Sequence, residues 1–207
     1  MSARAGGGLD DALAAIAAGR IVVIAGDRLR GGDIDLMCAA RLVTPEAINF
    51  MATHGRGLIC LAVTPERARQ LGLTLVNPGT ERQTGRPFAR SIEAASGVST
   101  GISAADRAHT VAVAIAPGAS AAHIHSPGHV FPLIAQEGGV RVRASACEAS
   151  IDLARLAGAG DAAVICSIMR DDGEMARLED IGDLITAHGL AVAEIGALIE
   201  RLEGAAA

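Results

Sequence analysis

The stretch Thr44–Leu73 reads TPEAINFMATHGRGLICLAVTPERARQLGL. Thr44 offers a side-chain oxygen to the unpaired N–H groups of a first helical turn. Pro45 has no N–H to leave unsatisfied there, and Glu46 meets the positive end of the helix. The same triplet returns as Thr64-Pro65-Glu66, so a second helix opens at that point. Between the two, Leu58–Val63 is an apolar run of strand length. A strand that hands over to a capped helix predicts a sheet with helices packed on it.

Working outward, residues 1–8 (MSARAGGG) read as a flexible leader, and 9–18 carry an Ala/Leu/Ile helix pattern that stops at Gly19. Ile21–Ala25 is a short buried strand ending in Gly26, and the polar segment from Asp27 to Asp35 is a loop. Residues 77–90 (NPGTERQTGRPFAR) are rich in turn formers and arginine and form a loop or lid. After a turn at Gly101, Ser103 opens a helix, and Thr110–Ala116 follows as an apolar strand. Pro127 and Pro132 bracket a short segment, and the Gly138-Gly139 turn leads into a strand over Val140–Ala144. Glu148–Gly158 is an amphipathic helix, Ala163–Met169 a strand and Glu194–Leu202 a last helix. Strands and helices in irregular order give an α+β fold, a mixed sheet packed with helices. With 207 residues, half of them hydrophobic, the expectation is a single domain over 1–207.

Composition removes whole classes of function. All 18 basic residues are arginine, so no lysine can form a Schiff base or anchor pyridoxal phosphate. Trp and Tyr are absent and Phe occurs only at 50, 88 and 131, which leaves no aromatic platform for stacking bases. A formal charge of −5 argues against nucleic-acid binding, which needs a basic surface. Cys38, Cys60, Cys147 and Cys166 form no C-x-x-C pair and read as reduced thiols. No apolar run approaches the roughly 18 residues of a membrane span. The expected setting is cytoplasmic, with no membrane partner.

With the elements in order, six motifs stand out: TPEAINFMATHGRGLICLAVTPERARQLGL (44–73), STGISAADRAHTV (99–111), PGHVFPL (127–133), EGGVRVR (137–143), EASIDLARLAGA (148–159) and ICSIMRDDGEMAR (165–177). Together, over roughly 10–202, the chain resembles 3,4-dihydroxy-2-butanone 4-phosphate synthase, a riboflavin-pathway enzyme family. The resemblance implies an α+β homodimer with active sites at the subunit interface. It also implies use of Mg²⁺ to convert ribulose 5-phosphate into a dihydroxybutanone phosphate and formate. On the family's acidic loop, the substrate-binding arginine and final aspartate match Arg30 and Asp35, and the metal-holding glutamate is Gly31. On the family's R-x-G-H-T-E-A, the phosphate-binding arginine matches Arg143, the metal-binding histidine is Ala146 and the threonine is Cys147. The histidine of P-G-H is kept as His129, whereas the catalytic glutamate of I-C-E is Ser167.

These departures shape the functional expectation. Mg²⁺ needs oxygen ligands, and Gly31 and Ala146 supply none, so no cofactor is expected. The reading that follows is a repurposed family member, a Mg-independent lyase, isomerase or cyclase acting on a small anionic substrate in specialised biosynthesis. Two alternatives stay open: a catalytically silent ligand-binding or regulatory dimer, and the parent synthase with a displaced metal site. His129 is the candidate acid/base, because an imidazole titrates near neutral pH. Cys147, ahead of a predicted helix, is either a nucleophile or a small replacement for threonine. Ser167 completes the catalytic set, and Arg30, Asp33, Asp35, Thr100, Arg143 and Cys147 form the substrate-binding set. Arg28, Arg82, Arg86 and Arg90 are either further anion-binding groups or solvated charge. His123, His125 and His129 have a spacing that permits zinc. Glu148 and Asp152 share a helix face, where they bind or merely bridge.

Overall fold

The computed structural model describes residues 8–78 and 86–205. In chain order the elements are α1 (Leu9–Ala17), β1 (Val22–Asp27), β2 (Asp33–Ala39), α2 (Pro45–Phe50), β3 (Cys60–Val63), α3 (Pro65–Gln70) and β4 (Ile92–Ala94). Then come α4 (Ala104–Ile115), β5 (Ile124–Ile134), α5 (Ala146–Leu156), β6 (Ala163–Ser167), α6 (Gly182–His188), β7 (Ala191–Glu194) and α7 (Ile195–Gly204). The strands make one mixed sheet in the order β4-β5-β3-β6-β2-β1-β7. The α+β expectation holds.

Alternation along the central strands explains the layers. In β2, Ile34, Leu36 and Cys38 join a core shared with Ile48 of α2, Val111 of α4 and Ile185 of α6. Met37 and Ala39 point the other way, into a core with Ile16 of α1, Leu153 of α5 and Leu198 of α7. Both faces of the sheet are covered, which is why these strands read as nearly continuous apolar runs. Thr44 and Thr64 accept hydrogen bonds from Ala47 N at 3.2 Å and Arg67 N at 3.1 Å, as their positions predict.

Elsewhere the structure departs from the sequence reading. Thr110–Ala116 is no strand: α4 runs on to Ile115, held by the Ser103 cap and by burial of Ala108, Val111 and Ala114 on one face. Val140–Ala144 is no strand either, because Gly139–Arg141 winds into a 3₁₀ turn. The segment bracketed by Pro127 and Pro132 belongs to one long strand, β5, that bulges against β4. The polar loop after Gly26 shrinks to a 3₁₀ turn, and β2 begins at Asp33. Strands β2, β4 and β7 and helix α6 had no counterpart in the sequence reading. The proposed leader and part of the 77–90 loop, including Arg82, lie outside the described residues. Among the described residues no helix is long and apolar enough to cross a membrane.

Candidate functional site: a buried arginine–aspartate pocket

The pocket is built where β1 turns into β2. Asp27, at the end of β1, accepts from Leu29 N at 3.0 Å and so caps the 3₁₀ turn Arg28–Arg30. Gly31 closes that turn at φ +63°, a left-handed conformation that side chains other than glycine adopt at a cost. The turn aims Arg30 back across the sheet. Its Nε donates to Asp27 at 3.0 Å, one terminal nitrogen donates to Asp35, and the other donates to Ser167 Oγ at 3.3 Å. Asp33 pairs with Arg177 and lies 3.6 Å from Arg30.

Asp35 and Ser167 are cross-strand partners in the β2–β6 ladder. That register sets the Ser167 hydroxyl 2.8 Å from the Asp35 carboxylate, to which it donates. Arg86 reaches the same carboxylate at 2.8 Å and also donates to Ser167. Its segment is clamped to β5 by Ile134 N donating to Pro87 O and Ala89 N donating to Pro132 O. Asp35 is fully buried. Burial alone would raise its pKa, but the guanidinium groups of Arg30 and Arg86 and the Ser167 hydroxyl hold it below the usual carboxylate range. The result is a desolvated carboxylate clasped between two cations. Arg86 also faces a cavity of about 430 Å³ lined by Leu58, Val76, Phe88, Arg90 and Phe131.

The Asp27 carboxylate also accepts from Ala146 N at 2.9 Å, tying the start of α5 to the turn. One turn of chain earlier, Arg143 donates to Glu148 at 3.2 Å, and Glu148 further accepts from Ser145 Oγ at 2.5 Å and Gln136 N at 2.9 Å. Glu148 is thus a buried strut for Arg143, and Asp152 bridges to Val140 N at 2.8 Å. Cys147 is buried, and burial together with the neighbouring Glu148 pushes its thiol pKa well above normal. A protonated, enclosed thiol is the opposite of an activated nucleophile, so the nucleophilic reading is corrected in favour of a packed side chain.

Thr100 is exposed in the turn braced by Asp106, which accepts from Ser99 N, Ser99 Oγ and Gly101 N. His129 lies elsewhere. It projects from β5, which β3 and β6 separate from β2, so about 14 Å of sheet divides its strand from that of Asp35. Its Nδ1 is 2.6 Å from Glu93 Oε2. His123 bonds instead to Ser120, and among the described residues no group of three His, Cys, Asp or Glu could hold a metal ion, so the zinc reading finds no site. Arg28 and Arg90 are exposed. Sequence reasoning passed over three residues of these clusters: Asp27, Glu93 and Arg177. The only signal for Asp27 was a lone acid at the end of an apolar strand; Arg177 closes the last quoted motif without having been singled out, and Glu93 showed none.

A mixed sheet covered on both faces, with arginines clasping a buried aspartate at the first strand turn, defines an α+β protein with a charged pocket at that turn. The 3,4-dihydroxy-2-butanone 4-phosphate synthase family profile matches residues 10–201, and the chain belongs to that family. A synthase of that name from Neisseria meningitidis serogroup B is 47% identical over 192 residues, covering 93% of this chain and 53% of the relative. One from Citrobacter koseri is 42% identical, covering 92% and 88%. The chain thus spans about half the length of the first curated relatives it matches. A crystal structure of a 3,4-dihydroxy-2-butanone 4-phosphate synthase in complex with two magnesium ions superposes with a TM-score of 0.88 at 36% identity, covering 96% of this chain and 97% of that one.

That complex overturns the expectation that no metal cofactor is involved, because a synthase 36% identical to this chain is held there with two magnesium ions. Gly31 and Ala146 bring no donor atom, and Asp27, Asp33 and Asp35 are each already paired with arginine. As arranged, the donor set does not fit a divalent cation.

Proposed function

We propose that the chain is a lyase of the 3,4-dihydroxy-2-butanone 4-phosphate synthase type, acting on ribulose 5-phosphate and releasing formate in the riboflavin pathway. The observation that carries this is the family match over 10–201, joined to Arg30, Asp35, His129 and Arg143 at motif positions. Guanidinium forks pair with phosphate or carboxylate oxygens, so Arg30 and Arg143 bind and orient the substrate. His129 moves the proton, since an imidazole both takes and gives one near neutral pH. The reading includes a homodimer with interface sites, in which a second subunit brings a His129 to an Asp35 that its own chain holds several strands away.

A second reading, a different lyase or isomerase step on a similar anion, is favoured by one specific observation. At the family's glutamate position stands Ser167, whose hydroxyl is engaged by Asp35, Arg30 and Arg86. Such a serine cannot act as a carboxylic acid. A formate-release assay with ribulose 5-phosphate separates the two, run with and without Mg²⁺ beside an active relative. Turnover that requires Mg²⁺ supports the synthase reading and requires donors to rearrange around Arg30. No formate under either condition rejects it in favour of altered chemistry.

A further inference from the structure

His129 belongs to the P-G-H motif, but its partner Glu93 lies outside every motif quoted from the sequence. Glu93 is the middle residue of the three-residue strand β4, between buried Ile92 and Ala94. Strand β5 bulges past it: Ile92 pairs with Val130 and Glu93 with His125, so residues 126–129 loop out and return His129 to the side of Glu93. Gly128 makes that return possible, because a Cβ there would lie 2.2 Å from the Ile92 backbone. Gly128 N also donates to Ser91 Oγ at 3.2 Å.

The hydrogen-bond ledger around Glu93 is directional. Thr110, fully buried on α4, accepts from Ala94 N at 3.1 Å. Its own proton is then left to point at Glu93 Oε1, 3.4 Å away. The other oxygen, Oε2, faces His129 Nδ1 at 2.6 Å, and an ionised carboxylate can only accept. Nδ1 must therefore carry the proton. Among the described residues Nε2 has no hydrogen-bond partner, and the ring is 42% exposed.

We infer that Glu93 is the positioning residue of His129: it fixes the Nδ1–H tautomer and ring orientation, presenting Nε2 as the nitrogen that takes a proton from substrate. The carboxylate also pairs with the positive charge that appears on the ring once that proton has arrived. The inference rests on the proposed role of His129 for its catalytic meaning, while its structural content stands by itself. Thr110 and the β5 bulge belong to the same device, one setting the carboxylate and the other delivering the imidazole.

The test is the ¹⁵N spectrum of the neutral imidazoles, a set of six histidines in which Nδ1–H and Nε2–H rings differ, with His129 assigned by H129Q. Wild-type His129 is expected as the Nδ1–H form and E93A as mainly Nε2–H, with E93Q keeping Nδ1–H through its amide oxygen. A wild-type ring in the Nε2–H form overturns the inference, even if E93A does not fold. So does an E93A ring unchanged from wild type. In any turnover the protein supports, E93A should lower kcat roughly ten- to a hundredfold with KM little altered. If the formate assay is negative, the tautomer measurement still decides the positioning claim, so the two failures are distinguishable.

Discussion

Asp35 is fully buried, and Arg30, Arg86 and Ser167 keep it ionised. Replacing it by asparagine takes from Arg30 and Arg86 the buried carboxylate that they share. Asp35→Asn should lower unfolding free energy by about 3 kcal/mol in urea titrations at pH 7. The pH dependence has a definite sign. An unfolded aspartate titrates near about 3.9, and the folded value is lower. The stabilisation is thus complete above the unfolded value and lost as pH falls through the folded one. Wild type should destabilise below about pH 4, with a shallower acid limb in Asp35→Asn. The thiols act at the other end. Burial pushes Cys38 up to about 11 and Cys60 and Cys166 up to about 12. Their stabilising effect is present below the unfolded thiol value and fades as pH rises toward these figures. Native protein should resist a thiol-labelling reagent at pH 8 and react at all four cysteines in denaturant; rapid native labelling would contradict this burial. Arg30, Asp35 and Arg143 were legible because motifs carry them. The Arg86–Asp35–Ser167 contact was not, since a cross-strand register joins residues far apart in sequence.

The elements were legible where local chemistry is strong. The two Thr-Pro-Glu caps announced α2 and α3, and the apolar runs announced β1, β3 and β6. They failed where long-range packing decides. Thr110, Val111, Val113 and Ile115 look like a strand by composition, yet the Ser103 cap and a face of small buried residues keep them helical. Strand β4 has three residues and exists only because β5 pairs with it. That pairing makes Gly128 sensitive: Gly128→Ala should destabilise by about 1–3 kcal/mol, since backbone cannot yield as a flexible side chain would. It should also broaden or shift the His129 ring resonances. A thermal scan matching wild type would mean that β4 and β5 are less closely apposed than a 2.2 Å approach at Gly128 requires.

For the whole molecule, the family frame and the residues at positions 31, 146 and 167 make separate predictions. Sedimentation equilibrium should give twice the chain mass; a monomer at micromolar concentration would remove the means of joining His129 to Asp35. Restoring Gly31→Glu, Ala146→His and Ser167→Glu together should raise Mg²⁺-dependent formate release above wild type, though glutamate at the left-handed position 31 costs about 1–2 kcal/mol. No gain would mean that the pocket walls, Arg86 foremost, have shifted away from the parent arrangement. Asp27 bears on every such change. Its one carboxylate holds Leu29 N, Arg30 and the first amide of α5. The two halves of the pocket are therefore hinged on a single side chain, and neither can be re-aimed independently. An engineer who wants a new substrate here must move both walls in concert, or leave Asp27 alone and vary only what projects from them.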